Sequence, residues 1–309
     1  SGRLKMLALP ETKRPRFAVY NEMAARGYRE VVSYAFVDEQ WEQDFAANTN
    51  PIRLQNPLAA QYAVMRSTLI GGLVEVLQNN LNRKQNRVRV FEIARVFSKD
   101  SADQFVQNER IGGLWYGSVL PEQWGEKTRN VDFYDMKADG ESLLKNKEVS
   151  FVKAEHPALH PGRAANIVSD GRVVGFVGEL HPKWLQKYDL PQAPLVFEID
   201  MDAVLGREKT RYQSVSKFQP ARRDLAFVMP EAVTHDDLLN ALKAAANKLV
   251  QEISVFDVYR GTGVPEGMKS VAVKIILQDM ENTLTDEVIE PVIGKLIDAA
   301  TAAGAQLRG

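Results

Sequence analysis

The stretch VYRGTGVPEGMKSVAVKII, at positions 258–276, decides how the second half of this 309-residue chain folds. Its glycines, followed by a lysine and a serine, look like a phosphate-binding loop, which needs the pattern G-x-x-x-x-G-K-[ST] before a helix. Thr262 stands where the first glycine should be, and Met268 separates the last glycine from the lysine. The residues that follow alternate and are β-branched, which is typical of a strand. The stretch therefore predicts a turn between two strands.

Patterns on both sides of this turn complete a βαββαβ order. Four stretches have strand patterns: RRDLAFVMP, QEISVFDVYR, MKSVAVKIILQD and the terminal AQLRG. THDDLLNALKAAANKL and TDEVIEPVIGKLIDAATAAG have helical spacing, and Thr234 with Asp237 predicts a capping box at the start of the first helix. This order is ferredoxin-like. It predicts four antiparallel strands with both helices on one face and the other face open.

Strand alternation predicts which side chains lie on the open face. In SVFDVYR, Phe256 and Val258 should face the core, which leaves Asp257 and Tyr259 on the open side. In KSVAVKIIL, four alternating apolar residues should face the helices, which leaves Ser270 on the open side. An aromatic residue, a carboxylate and a hydroxyl are therefore expected on one surface.

These residue types suit recognition of a nucleobase. Tyr259 could stack on a base, Asp257 could accept hydrogen bonds from guanine, and Arg308 on the last strand could reach the same area and contact a phosphate. From the residues alone, an ordinary exposed strand tyrosine at position 259 is the favoured alternative.

Composition sets limits on function. Hydrophobic residues make up 45% and charged residues 26% of the chain, which is typical of a folded globular protein. The chain has no cysteine, which excludes disulfides, thiolate nucleophiles and cysteine-ligated zinc and is consistent with a reducing cytosol. The apolar runs are too short for a membrane span. We therefore expect a cytoplasmic location and no membrane partner.

Charge is distributed unevenly along the chain. The net charge is −1, whereas residues 218–309 carry nine Lys or Arg and thirteen Asp or Glu. An RNA bound by this region would depend on stacking and base edges, because a wide phosphate-neutralising face is missing. The preceding stretch GREKTRYQSVSKFQPARR is basic and polar. It predicts a linker at 206–217 between domains at 1–205 and 218–309.

The first 205 residues predict a helix-flanked, largely antiparallel sheet, so both domains are α+β. STLIGGLVEVLQNNLNR has leucines at positions 69, 73, 77 and 81, which is typical of a helix packed on a core. EVVSYAFVD at 30–38 and VRVFEIARVF at 88–97 predict strands. Asp170 and Gly171 predict a two-residue hairpin turn.

Several long stretches together resemble one known family. They are MRSTLIGGLVEVLQNNLNRKQNRVRVFEIARVF, HPGRAANIVSDGRVVGFVGELHP, FQPARRDLAFVM, VFDVYRGTGVPEGMKSVAVKIILQD and AQLRG. In this order they resemble the C-terminal part of the β subunit of bacterial phenylalanyl-tRNA synthetases. The resemblance covers nearly the whole chain. It implies a class II synthetase-like module followed by a ferredoxin-fold anticodon-binding domain, both from a longer subunit.

The resemblance implies an α2β2 enzyme whose α subunit activates phenylalanine with ATP and Mg2+, while this chain carries no catalytic residue, cofactor or metal. The sequence is consistent with this, because class II sites place an Arg two residues before a Glu. Here Arg89 and Glu92 are three apart and should face opposite sides. After the strand GFVGEL, where a second ATP-binding Arg is expected, the chain has His181, Pro182 and Lys183. We therefore expect the first module to pack against the α subunit.

For the second domain, the resemblance implies recognition of the first anticodon base, a guanine of tRNA(Phe), on the open face. The matching residues are Asp257, Tyr259, Ser270 and Arg308. The expected partners are the α subunit and tRNA(Phe), and DNA is not expected. The alternative is a regulatory protein whose ferredoxin-like domain senses a small ligand. Co-purification with a synthetase-like subunit would discriminate between the two.

Two further patterns predict structural roles. His156 and His160 have the i, i+4 spacing of zinc ligands on a helix. Each precedes a proline, which disfavours helical backbone, so we expect a rigid loop. The basic residues at 83, 84, 87 and 89 are typical of a solvated helix end, with contact to tRNA or the α subunit as the less favoured hypothesis.

Overall fold

The structure, a computed structural model, describes residues 14–57, 59–145, 147–206, 218–279 and 282–308. These residues form two compact units that divide within 207–217. The predicted linker 206–217, apart from Gly206, lies outside the described residues. None of the described helices combines the length and the apolar composition that a membrane crossing needs.

The first unit is built around one large sheet. In chain order its helices and strands are α1 (Arg16–Ala25), β1 (Arg29–Glu30), β2 (Phe36–Val37), α2 (Glu39–Ala46), β3 (Val64–Met65), α3 (Ile70–Asn82), β4 (Val88–Lys99), β5 (Phe105–Tyr116), α4 (Phe133–Leu143), β6 (Val149–Lys153), β7 (Leu159–Ser169), β8 (Arg172–Leu180), α5 (Pro182–Lys187), β9 (Leu195–Asp200) and α6 (Met201–Leu205). Seven strands form the sheet in the order β1-β4-β5-β9-β8-β7-β6, and β2 pairs with β3 separately. Among the described strands of the large sheet, β1 and β4 are the one parallel pair, so the predicted largely antiparallel sheet is confirmed.

Both faces of this sheet are covered by helices. Alternation along β4 sends Phe91 and Ile93 to one face and Val88 and Val90 to the other, and each pair lies in a separate apolar cluster. Helices α1, α4 and α6 contribute to the first cluster, and α2 and α3 contribute to the second, with α5 packed beside it. Three of the regularly spaced leucines that the sequence predicts to pack on a core, at positions 69, 73 and 77, are fully buried in the second cluster. The sheet is therefore the middle of three layers.

The strand predicted at 30–38 is interrupted in the structure. β1 ends at Glu30 and β2 begins at Phe36. Between them, the amide N–H and the hydroxyl of Ser33 both donate to the carboxylate of Glu92, at 3.1 and 2.7 Å. The prediction of one continuous strand is wrong, because a carboxylate from a distant strand takes a backbone donor that strand pairing would need.

The second unit has the predicted βαββαβ order. Its elements are β10 (Ala221–Pro230), α7 (His235–Ala245), β11 (Val250–Tyr259), β12 (Met268–Leu277), α8 (Asp286–Ala302) and β13 (Gln306–Leu307). The strands form an antiparallel sheet in the order β11-β12-β10-β13. The capping box at the start of α7 is confirmed, since the Thr234 hydroxyl accepts the Asp237 N–H at 3.1 Å and the Asp237 carboxylate accepts the Thr234 N–H at 2.9 Å.

Helices α7 and α8 cover one face of this second sheet. The alternating apolar residues of β12 are all fully buried there: Val271, Val273, Ile275 and Leu277. Leu238 and Leu242 of α7 and Leu296 of α8 belong to the same cluster. Because both helices contribute to one cluster, no described helix covers the opposite face of the sheet, which leaves it open among the described residues, as in a ferredoxin-like arrangement.

A β-bulge in β11 changes the side-chain alternation that the sequence predicts. Val255 pairs with Val273 and Asp257 pairs with Ala272, so Phe256 is an extra residue without a partner on β12. Directly paired residues share a face, so Val255 faces the helices with Val273, and Asp257 faces the open side with Ala272. The prediction that Phe256 faces the core is wrong, since Phe256 is 53% exposed.

Alanine replacements at Phe227 and Phe256 separate a core phenylalanine from an exposed one. Phe227 is fully buried, so we expect Phe227→Ala to lower the free energy of unfolding of this unit by about 3–5 kcal/mol. Phe256→Ala should cost less than about 1 kcal/mol, because no cavity forms. Urea denaturation, monitored by hydrogen exchange of the β12 amides, measures the loss of unfolding free energy in both variants. Equal losses would mean that Phe256 belongs to the core.

Candidate nucleic-acid interface

Three of the predicted site residues lie at neighbouring positions on the open face. Asp257 pairs with Ala272 across β11 and β12, and Tyr259 pairs with Ser270. Ala272 and Ser270 alternate with the core residues of β12, so these four side chains lie on the side away from the helices. The bulge is necessary for this arrangement, because strict alternation from Val255 would turn Asp257 and Tyr259 toward the core.

Arg308 lies on the same face, at the opposite edge of the sheet. Its backbone N–H donates to the carbonyl oxygen of Ala226 on β10 at 2.7 Å. The preceding Leu307 pairs with the core residue Phe227, so alternation places Arg308 on the open side. Its guanidinium extends toward the loop between β11 and β12, since a Cβ on Gly263 would lie 3.3 Å from it. The structure thus brings all four predicted residues to one face.

Two alanines form the floor between Asp257 and Arg308. Ala272 pairs with Asp257 on one side and with Ala226 on the other, and Arg308 bonds to Ala226. Neighbouring strands lie about 4.8 Å apart, so three steps separate the strands of Asp257 and Arg308 by roughly 14 Å. The floor between these two outer strands therefore carries small side chains.

Tyr259 rests against the loop that follows β11. Its hydroxyl lies 3.4 Å from the carbonyl oxygen of Thr262, and a Cβ on Gly261 would lie only 2.7 Å from that hydroxyl. Glycine at 261 is therefore what allows this close approach. Tyr259 is 43% exposed, so part of the ring is accessible for stacking, whereas the neighbouring Ser270 is 6% exposed and forms part of the floor.

Charges at the end of the open face away from this loop are paired with one another. Asp224 accepts two hydrogen bonds from Arg222, at 2.8 and 2.9 Å, and Glu252 pairs with Lys274 at 2.8 Å. The hydrogen bond from Arg222 holds the pKa of Asp224 below its ordinary value, and the hydrogen bond from Lys274 lowers the pKa of Glu252. These cations are therefore already neutralised within the sheet.

Two charged side chains at the end of the open face next to the loop between β11 and β12 are available to a ligand. Within the described part of the chain, neither Asp257 nor Arg308 takes part in an ion pair. The loop itself is held at its start by Arg260, which donates to Glu231 at 2.6 and 3.0 Å. An unpaired carboxylate can accept the N1–H and N2–H donors of guanine, and an unpaired guanidinium can bind phosphate.

Sequence reasoning missed Phe256 as an open-face residue. A local signal was present, since the residues of β11 that face the helices are Ile253, Val255 and Val258. Their spacing changes from two to three, and one extra residue at this point marks a bulge.

Arg89 and Glu92 lie on opposite faces of the first unit's sheet. Arg89 donates to Asp139 at 2.7 Å and lies 3.4 Å over the ring of Trp115. Glu92 accepts from Arg66 at 3.1 Å and is almost fully buried. Both side chains, which class II sites use on one face, are therefore engaged in internal contacts here.

Two further polar side chains of the first unit form hydrogen bonds with backbone groups of the same unit. His181, where class II sites carry an ATP-binding arginine, caps α5 by accepting the Lys183 N–H at 3.1 Å. Arg87, from the basic cluster, donates to the carbonyl oxygens of Ser118 and Val119 at 3.0 and 2.9 Å. These residues therefore stabilise turns and loops of the module.

His156 and His160 each accept a backbone N–H two residues further on, at 3.2 and 3.0 Å, and neither lies on a helix. The His156 ring packs 4.2 Å from that of Phe176. Burial lowers the pKa of His156 to about 4. The charge of Glu198 acts in the opposite direction and raises this pKa, whereas the charge of Arg110 lowers it. Among the described residues, no group of three or more His, Asp or Glu could hold a metal ion.

This pKa predicts a loss of stability in mild acid. Since the pKa of His156 is about 4 in the folded state and about 6.5 when unfolded, the unfolded chain binds more protons between these values. Stability contributed by the neutral ring is full above pH 6.5 and falls as the pH is lowered toward 4. At pH 5 we expect a loss of up to about 2 kcal/mol relative to pH 7.5.

His156→Asn is the matched variant, because an amide oxygen can still accept the Ala158 N–H without titrating. Urea denaturation of both proteins at pH 7.5 and pH 5 measures the difference. An identical pH dependence in the two proteins would contradict the assigned role of His156.

Comparisons with known proteins agree with this arrangement of two units. Residues 216–308 match the family model of the ferredoxin-fold anticodon binding domain, so the second unit is of the anticodon-binding class. Residues 1–201, well over half of the chain, match the family model described as the phenylalanyl tRNA synthetase beta chain CLM domain. The chain belongs to the phenylalanyl-tRNA synthetase β-chain family.

Curated relatives extend over both units. A phenylalanine–tRNA ligase beta subunit from Neisseria meningitidis serogroup B is 87% identical over 308 residues, covering 100% of this chain and 39% of the relative. The subunit from Chromobacterium violaceum is 55% identical, covering 99% of this chain and 39% of the relative. A solved pyrrolysyl tRNA synthetase from Desulfitobacterium hafniense is 9% identical to this chain, with a TM-score of 0.43. The match covers 62% of this chain and 66% of that chain, and a likeness this low does not show a shared fold. The chain thus spans well under half the length of these curated relatives.

Proposed function

We propose that this chain forms the anticodon-recognising and α-subunit-binding part of a phenylalanine–tRNA ligase β subunit. One observation carries the proposal: Asp257, Tyr259, Ser270 and Arg308 share one open sheet face in a unit that matches the anticodon-binding family. The relatives that bear the ligase name match both units in one chain, which supports the assignment of both units to the same enzyme.

Recognition of the first anticodon base would divide between stacking and hydrogen bonding. The accessible part of the Tyr259 ring stacks on the guanine, and the unpaired carboxylate of Asp257 accepts from its N1–H and N2–H. Ser270 lies beside both in the floor, and Arg308 contacts a phosphate or stacks from the far edge. Little affinity comes from neutralising phosphates, because Arg222 and Lys274 are already paired.

The first unit would act as a scaffold for the α subunit. Its arginines and carboxylates hold its own layers together, as in the pairs Arg89–Asp139 and Arg66–Glu92. The α subunit would then activate phenylalanine with ATP and Mg2+ in an α2β2 assembly in the cytoplasm, and this chain would contribute no catalytic group. The alternative of a small-ligand sensor is less favoured, because the relatives are ligase subunits.

Tyr259→Ala tests the stacking contact. A stacked base contributes roughly 1–3 kcal/mol, so tRNA binding by the assembled enzyme should weaken about ten- to a hundredfold. Phenylalanine activation should not change, because that chemistry belongs to the α subunit. Tyr259→Phe keeps the ring and is the matched control, with binding close to that of the wild type. Charging kinetics at varied tRNA concentration report the change in tRNA binding, and ATP–pyrophosphate exchange reports phenylalanine activation. Unchanged charging by Tyr259→Ala would mean that Tyr259 is an ordinary exposed tyrosine.

Asp257→Ala tests discrimination. Adenine lacks the donors that a carboxylate recognises, so the variant should lose more selectivity for guanine over adenine than affinity for tRNA. Charging of two tRNAs that differ only at the first anticodon position measures the ratio. Glu266→Ala removes an exposed carboxylate from the adjacent loop and controls for net charge. If the ratio is the same in both variants, the carboxylate of Asp257 does not contact the base.

A further inference from the structure

The side chain at the bulge of β11 is not explained by the bulge itself. The extra residue is needed so that Asp257 and Tyr259 lie on the open face, but any residue type at position 256 would supply it. The residue present is a phenylalanine that is 53% exposed and lies next to Asp257 in the chain. An exposed aromatic ring beside a recognition residue indicates a contact surface.

Arg222 and Asp224 hold the surroundings of this ring. The Arg222 guanidinium lies 5.7 Å from the centroid of the Phe256 ring. Asp224 fixes that guanidinium through two hydrogen bonds, at 2.8 and 2.9 Å. Because Arg223, the neighbour of Arg222, pairs with Asp286 of α8 on the helix side, Arg222 and the Phe256 ring lie on the open side.

The chemistry at this end of the face favours stacking over phosphate binding. Arg222 is neutralised by Asp224, so it offers a planar group more than a free positive charge. Together with Phe256 it forms an apolar and planar surface that accepts the face of a nucleobase without selecting its identity.

The spacing along β11 separates this surface from Tyr259. Tyr259 follows Phe256 by three residues in the chain, which corresponds to roughly 10 Å along a strand. Stacked bases are about 3.4 Å apart, so one base cannot lie against both rings, and the two rings serve different nucleotides.

We propose that Phe256 is a second stacking position of the open face, which takes a nucleobase adjacent to the one that stacks on Tyr259. This inference rests on the proposed anticodon recognition. The two bases are splayed apart along β11, and the carboxylate of Asp257 lies between them. Tyr259 and Asp257 recognise the first base, whereas Phe256 adds affinity that is insensitive to which base it contacts.

A double-mutant cycle tests the contact. The proteins are assembled ligases that contain the full-length β chain, either wild type or Phe256→Ala, and the RNAs are whole tRNA(Phe) molecules. One RNA is unmodified, and two others carry an abasic nucleotide on either side of the first anticodon position. With unmodified tRNA, Phe256→Ala should weaken binding about five- to a hundredfold. With one of the two abasic tRNAs, the same substitution should change binding less than about twofold, because the ring has lost its base.

Three controls make the result specific. Phe256→Leu keeps an apolar side chain without a ring, so it should behave like Phe256→Ala in the cycle. Val288→Ala removes an exposed apolar side chain from α8 and should show no coupling. Tyr259→Ala paired with an abasic first anticodon position tests the proposed function independently of Phe256.

The outcomes are distinguishable. Coupling of Tyr259 to the first base without coupling of Phe256 to either neighbour would overturn this inference and leave the proposed function intact. Absence of coupling at both residues would overturn both. Full affinity in Phe256→Leu would also overturn the inference, since it would show that an apolar side chain without a ring is sufficient and that Phe256 packs against protein.

Discussion

The pairing of β11 with β12 is the constraint on which the candidate interface depends. One residue more on β11 than on β12 lets Val255 face the helices and still turns Asp257 and Tyr259 to the opposite side. The helices α7 and α8 make this pairing unambiguous, because they bury four alternating residues of β12 and so determine which side of that strand faces the core. The position of each open-face side chain follows from the core of the same unit.

The two units use charged residues in different ways. In the first unit, Arg66 with Glu92 and Arg89 with Asp139 lie inside the three-layer arrangement, on opposite faces of the sheet. Removing one partner of such a buried pair leaves an uncompensated charge, at a cost of about 3–5 kcal/mol. In the second unit the charges lie on a surface, where an ion pair contributes little to stability and an unpaired group can bind a ligand.

The open face is itself divided. At one end Arg222, Asp224, Lys274 and Glu252 satisfy one another. At the other end Asp257 and Arg308 border a floor of small side chains, and the glycine-containing loop supports Tyr259. A protein that bound RNA through phosphates alone would leave its cations unpaired. This division is more suitable for contacts with individual bases, which need planar surfaces and a few correctly placed polar groups.

The sequence by itself determined the order of the elements and the general content of the open face. Alternation in β12, the capping box at Thr234 and the leucine spacing of α3 depend on residues close together in the chain, and all three agree with the structure. Only the tertiary structure decided the orientation of Phe256 and the end of β1. The spacing of Ile253, Val255 and Val258 is compatible with a bulge, but the pairing with β12 decides which residue is the extra one. The end of β1 depends on a hydrogen bond between Ser33 and Glu92, which are 59 residues apart. Local patterns fix periodicity, whereas strand register and long-range hydrogen bonds are settled when the chain folds.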